Sequence, residues 1–204
     1  MSKKTKIVLI SIFSIILIFI AIFTIFNYKN DKSGNTIINQ SEEGIIDYIL
    51  NISNYEATLD ITVETNKNTN KYKIKQSLNG KISRQEVMEP SNIAGVITEY
   101  DGENLKVINS QLNLEKTFQN YNYIIDNKLW LDSFIKDYQK YSNSKVTIED
   151  DEVILEVKDE DDKKYNVYKK LYIDKKTGKP TKMIVQDINQ KTLVYILYTE
   201  IKIL

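Results

Sequence analysis

The run from Ile7 to Phe26 constrains this chain more than any other stretch, because its only polar side chains are Ser11, Ser14 and Thr24. A helix of that length spans roughly the 30 Å of a bilayer's hydrocarbon. A helix in the core of a water-facing domain keeps a polar face, and this run has none. Lys3, Lys4 and Lys6 precede it and Lys29 is the next charge, a distribution that favours a cytoplasmic N-terminus and an exported remainder. A cleavable signal peptide would have a shorter apolar region, about 7–15 residues, closing on small residues. Here the run closes on Ala21-Ile22-Phe23-Thr24-Ile25-Phe26, bulky where a peptidase needs small side chains. The expected plan is a cytoplasmic tail over 1–6, a transmembrane signal-anchor over 7–26, a linker over 27–41 and an extracytoplasmic domain over 42–204. The protein is then a single-pass component of the cell membrane.

Charge and composition narrow what the exported part does. Lysine plus arginine is 28 and aspartate plus glutamate is 28, so no global field draws the chain to nucleic acid. Histidine and cysteine are both absent. That removes disulfides, thiol nucleophiles, zinc sites with nitrogen or sulfur ligands, and imidazole as a base. It also removes a cysteine-linked lipid, so the polypeptide itself is the anchor.

After a polar tether (Asn27 to Gln40), Ser41 caps a short helix running through Ile52, with Ile45, Ile46, Ile49 and Leu50 as its apolar stripe. The period then changes from 3.6 to 2. Tyr55, Ala57, Leu59, Ile61 and Val63 alternate with polar residues, the pattern of a half-buried strand. Further strands are expected over Tyr72 to Leu78, Ile82 to Met88 (ended by Pro90), Val96 to Tyr100 and Leu105 to Asn109, the last two joined by the Asp101-Gly102 hairpin signal. From Phe118 to Asn127 the pattern weakens, and Trp130, Leu131, Phe134, Ile135 and Tyr138 fall at helical spacing. Strands follow around Val146–Ile148, Val153–Val157, Tyr165–Ile173, Lys182–Ile188 and Thr192–Ile203. The fold class is α+β: a transmembrane helix, then a strongly curved antiparallel sheet with helices covering its concave face.

Few constellations carry chemistry. The acidic runs Glu149 to Glu152 and Asp159 to Asp162 lack the glycine and the bidentate glutamate of a calcium loop, and they read as hairpin tips. Nothing places two carboxylates across a cleft for glycoside hydrolysis. No catalytic residue, metal ligand or cofactor is expected. Trp130, Phe134 and Tyr138 form an aromatic stripe, read first as a helix packing on the sheet and second as a lid lining a cavity. Arg84 is the one arginine in a lysine-rich chain, and its planar fork can hold a fixed hydrogen-bonding role that lysine cannot.

The stretch Gly80-Lys-Ile-Ser-Arg84-Gln-Glu-Val-Met-Glu-Pro90, followed by Val96 to Val107 with its Asp101-Gly102 hairpin, resembles a run in periplasmic lipoprotein carriers of the LolA type. The segment from Tyr55 to about Tyr138 is similar to the clostridial spore-germination lipoproteins of the GerS family, through Tyr72-Lys-Ile-Lys-Gln76, Pro90-Ser-Asn-Ile-Ala-Gly95 and Phe134-Ile-Lys-Asp-Tyr138. The resemblance implies a half-open β-barrel with a helical lid. In carriers the cavity holds acyl chains and the strand arginine, here Arg84, bonds to the lid. In GerS-like proteins the fold partners a cell-wall amidase that modifies spore cortex peptidoglycan. It implies a binding region of Arg84, Trp130, Phe134 and Tyr138, a non-enzymatic role in sporulation or germination, and the forespore membrane as a candidate location. A lipid- or lipoprotein-binding carrier is the alternative. GerS-like proteins are anchored by a lipidated cysteine, which this chain lacks.

The anchor can be tested directly. Mass spectrometry of the membrane fraction is expected to find a chain that keeps residues 7–26, and a mature form beginning near Asn27 in the medium would contradict it.

Overall fold

The computed structural model describes residues 41–121, 129–160 and 167–204. The expected tail, anchor and nearly all of the linker lie outside these residues, and no described helix is long and apolar enough to cross a membrane.

Helix α1 (Glu42–Leu50) is followed by β1 (Asn54–Glu64), β2 (Thr69–Asn79), β3 (Ile82–Glu89), β4 (Val96–Tyr100), β5 (Leu105–Asn109) and β6 (Leu114–Phe118). Helix α2 (Leu131–Lys140) leads into β7 (Lys145–Ile148), β8 (Glu152–Lys158), β9 (Tyr168–Asp174), β10 (Pro180–Gln186) and β11 (Thr192–Ile203). All the strands form one 11-stranded antiparallel sheet in the order β6-β5-β4-β3-β2-β1-β11-β10-β9-β8-β7. Each half is a meander, and the last strand returns to pair with the first, Tyr55 facing Ile203 and Leu59 facing Tyr198. The middle of the sheet is therefore built from its two longest-range partners, while β6 and β7 are free edges.

The local signals act as expected. The Ser41 hydroxyl accepts from Gly44 N–H at 3.2 Å and caps α1. The Asp101 carboxylate accepts from the backbone N–H groups of Glu103 and Asn104 at 2.8 and 2.6 Å, closing the β4–β5 turn, and Gly102 supplies the left-handed residue there with φ +100°. One strand, β6, is not expected from the sequence. Its residues are all exposed, so no buried phase marks it.

Both helices pack on the same face of the sheet. Ile45 and Ile49 of α1 and Leu131, Phe134 and Ile135 of α2 join one core with the alternate residues of β1, β8, β9, β10 and β11. The odd-numbered positions of β1, Tyr55 to Ile61, are buried while Glu56 and Asp60 between them are exposed, which is the period-2 pattern of a half-covered sheet. The β3–β6 half contributes little to this core: its only buried apolar side chain among the described residues is Leu105.

That asymmetry sets the energetics. Phe134→Ala, which empties a fully buried ring site, is expected to cost about 3–5 kcal/mol of unfolding free energy. Thr117→Ala, on exposed β6, is expected to stay within about 0.5 kcal/mol. Chemical denaturation of the two variants checks the contrast.

Candidate functional site

Helix α2 and its N-cap carry three of the expected binding residues. Trp130, Leu131 and Phe134 are almost wholly buried, and Tyr138 is half-buried. The Phe134 and Tyr138 rings stack with centroids 6.0 Å apart at 26°, and the Tyr138 hydroxyl donates to the Lys145 carbonyl at 3.5 Å. Phe134 and Tyr138 of the stripe thus pack onto the core of the sheet, while Trp130 is buried outside that cluster. The apolar residues of β8–β11 beneath it, among them Leu155, Leu171, Met183 and Ile196, are 0 % exposed. Over β8–β11 this face is covered, its described apolar side chains joining one buried core with α1 and α2.

Arg84 is not brought to this face. On β3 it is Ser83 that is buried on the helix side, opposite Leu78, so Arg84 points to the other face of the sheet. There its Nη1 pairs with Glu86 at 3.1 Å and its Nε with Glu99 at 3.2 Å. The latter is its register partner on β4. The expected bond from this arginine to the helical lid is therefore absent from the described contacts, because the strand phase turns the side chain away.

A different cation links sheet and helix. Lys169 of β9 is 0 % exposed and its Nζ forms an ion pair with Asp137 of α2. It shares the inward phase of Leu171 and Ile173, and that phase is the signal in the sequence: a lysine at a core position needs a partner. Just past α2, the Tyr141 hydroxyl donates to the Asp159 carboxylate at 3.0 Å. Asp159 is only 5 % exposed, so this end of the second acidic run is a buried acceptor and not a solvated hairpin tip. The first run does cap a turn, with Glu149 N–H donating to the Glu152 carbonyl at 2.9 Å and Lys176 pairing with Asp151. No cluster of acidic residues among the described ones is arranged to hold a metal ion.

At the N-terminal end of α2, Asp132 approaches Tyr55 of β1 and Tyr198 of β11. Burial, reinforced by the Asp132 charge, pushes the pKa of both phenols up from the ordinary tyrosine value. The Tyr55 hydroxyl donates to Gln76 Oε1 at 2.7 Å. On the opposite face, an open groove of 590 Å³ runs across β11, β1, β2 and β3, lined by charges including Glu56, Lys75, Arg84, Glu86, Glu200 and Lys202. Its lining alternates in sign, so it presents no single charge to a ligand.

With this geometry in place, comparison with solved structures identifies the architecture. An uncharacterized conserved protein from Thermus thermophilus superposes with a TM-score of 0.53 at 14% identity, covering 81% of this chain and 88% of that one. The structure of the Clostridioides difficile CwlD amidase in complex with the GerS lipoprotein matches with a TM-score of 0.52 at 23% identity, covering 79% of this chain and 95% of that one. The fold is the one that these two solved structures share. A LolA-superfamily protein from Nitrosomonas europaea is also similar, with a TM-score of 0.43 at 12% identity over 81% of this chain and 94% of that one. No family model and no curated protein matches the chain. At these identities the likeness establishes the fold alone.

Two outcomes follow from the site. Lys169→Ala is expected to cost about 3–5 kcal/mol, since it strands Asp137 beside a core position, whereas Lys169→Met combined with Asp137→Leu recovers most of that loss. Urea titrations of the single and double variants measure both. Tyr55 and Tyr198 are expected to stay protonated when the exposed tyrosines ionise. The raised folded pKa means that their contribution to stability is full below the unfolded value of about 10 and falls as pH rises above it. Ultraviolet titration of tyrosinate in the native and unfolded chain checks this.

Proposed function

We propose that this protein is a membrane-tethered extracytoplasmic binding module without catalytic activity. It serves as accessory partner to an enzyme that modifies the cell wall, such as an N-acetylmuramoyl-L-alanine amidase acting on spore cortex, in sporulation or germination. The observation that carries this reading is the filled helix-covered face. The aromatic residues of α2 that would line a cargo cavity are instead packed against buried residues of β8–β11, so recognition falls to the surface of the domain. The structural neighbour GerS, solved in complex with the CwlD amidase, supplies a precedent for this architecture in such a partnership. The absence of histidine and cysteine supports a non-enzymatic role by removing the usual nucleophile–base pairs. The apolar run over 7–26 supports tethering, and a fixed tether suits a resident partner better than a carrier that must leave the membrane to deliver its cargo.

The reading is tested with the full-length chain in detergent. Mixed with a purified N-acetylmuramoyl-L-alanine amidase from the same cell envelope, it is expected to form a complex on size-exclusion chromatography and to leave a fluorescent fatty-acid probe unbound. Saturable probe binding with no amidase complex would favour the lipid carrier instead.

A further inference from the structure

Four polar side chains meet where the first turn of α2 lies over β1, β2 and β11, and three of their atoms have no partner. Gln76 is 2 % exposed and Tyr198 is 7 % exposed. Gln76 Nε2, the Tyr198 hydroxyl and Asp132 Oδ1 are buried without a hydrogen bond. The fourth group, Tyr55, joins them into one cluster: its hydroxyl donates to Gln76 Oε1 at 2.7 Å, and the Asp132 charge acts on both Tyr55 and Tyr198. Register explains the meeting. Ala57 faces Gln76 on β2, and Leu59 faces Tyr198 on β11. Tyr55, Gln76 and Tyr198 therefore surround Ala57, the smallest side chain on the covered face of β1.

Buried polar atoms are hydrogen-bonded in about nine cases in ten or more, and an orphan costs the desolvation of the group. Three orphans in one cluster are a shared demand rather than three defects. Their chemistry is specific. Gln76 Nε2 can only donate, Asp132 Oδ1 can only accept, and the Tyr198 hydroxyl can do either. The Tyr55 hydroxyl donates to Gln76 Oε1, and this leaves Nε2 as the unpartnered end of the amide. A metal cation would face the Gln76 N–H, and an anion would face Asp132. Lys136 already pairs with the other Asp132 oxygen at 3.2 Å, so the carboxylate does not need a second positive charge. A neutral hydroxyl donates to the carboxylate and accepts from the amide and the phenol, and a water molecule can also donate to the phenol.

We propose that Gln76 Nε2, the Tyr198 hydroxyl and Asp132 Oδ1 together bind one hydroxyl group, supplied by a water molecule or by an alcohol, between the sheet and the first turn of α2. The occupant ties α2 to the middle of the sheet, at the opposite end of the helix from the Lys169–Asp137 pair. The inference stands on this geometry and is independent of the partner reading above.

A high-resolution crystal structure of the full-length chain, with thermal unfolding of the wild type and Tyr198→Phe, tests it. A single compact density peak within hydrogen-bonding distance of the three atoms identifies water. Elongated density with a matching adduct in native mass spectrometry identifies an organic alcohol. Either supports the site. With the occupant present, Tyr198→Phe removes one of its hydrogen bonds and Tm is expected to fall by about 2–4 °C. In a dry niche the same change deletes an unsatisfied hydroxyl and Tm rises. An empty niche, a direct bond from Tyr198 to Asp132, or a rise in Tm overturns the proposal.

Discussion

A meander sheet this wide has an apolar face that the strands cannot bury against one another, and everything else in the domain depends on how that face is covered. Two short helices do it. Burial of large side chains from α1 and α2 against β1 and β8–β11 supplies the non-directional part of the stability. The directional part comes from polar contacts at both ends of α2. Asp137 pairs with the buried Lys169, and the Asp132 charge acts on the buried Tyr55 and Tyr198. A buried charge pair contributes little net stability over an apolar replacement, but a lone member is costly. The helix is therefore held to one position, because sliding it by a turn would strand Lys169 in the core.

Much of this is readable from the residues, for a physical reason. Period-2 alternation survives wherever one face is covered and the other wet, so β1 falls close to the positions that its side chains mark. Strand β11 is marked by its length, and its run of apolar residues on both faces suggests a second covered face where Tyr195 and Leu197 are exposed. Ser41 and Asp101-Gly102 announce their turns because their side chains or backbone freedom act locally. The weaker readings fail where phase is ambiguous. On β3 both faces mix apolar and polar residues, with Ile82 and Met88 in phase with Arg84 but exposed. Only the pairing of Ser83 with Leu78 decides which face is covered, and pairing is not local. Strand β6 lies at the edge with no covered face, so it has no phase to read. Asp159 is visible in the sequence as a charge but not as a buried one, since its partner Tyr141 is distant along the chain, and Lys169 is marked as buried only by the phase that it shares with Leu171 and Ile173.

The same packing shapes the functional reading. Fold likeness at 23% identity leaves cargo carrier and protein partner equally open. What separates them is whether the space between α2 and the sheet holds ligand or side chains. Here Leu131, Phe134 and Ile135 join one core with buried residues of β8–β11. The Lys169–Asp137 pair binds α2 down, where a gate would need contacts that release easily. On the proposed reading, recognition uses the outer face, the edges and the β3–β6 half.

Xenon is the most direct probe of that central point, because it enters dry apolar cavities and is excluded from close-packed interiors. Crystals of the full-length chain under xenon pressure are expected to show no xenon between α2 and strands β8–β11. Well-occupied xenon density beneath Phe134 would reveal an open apolar cavity and contradict the account.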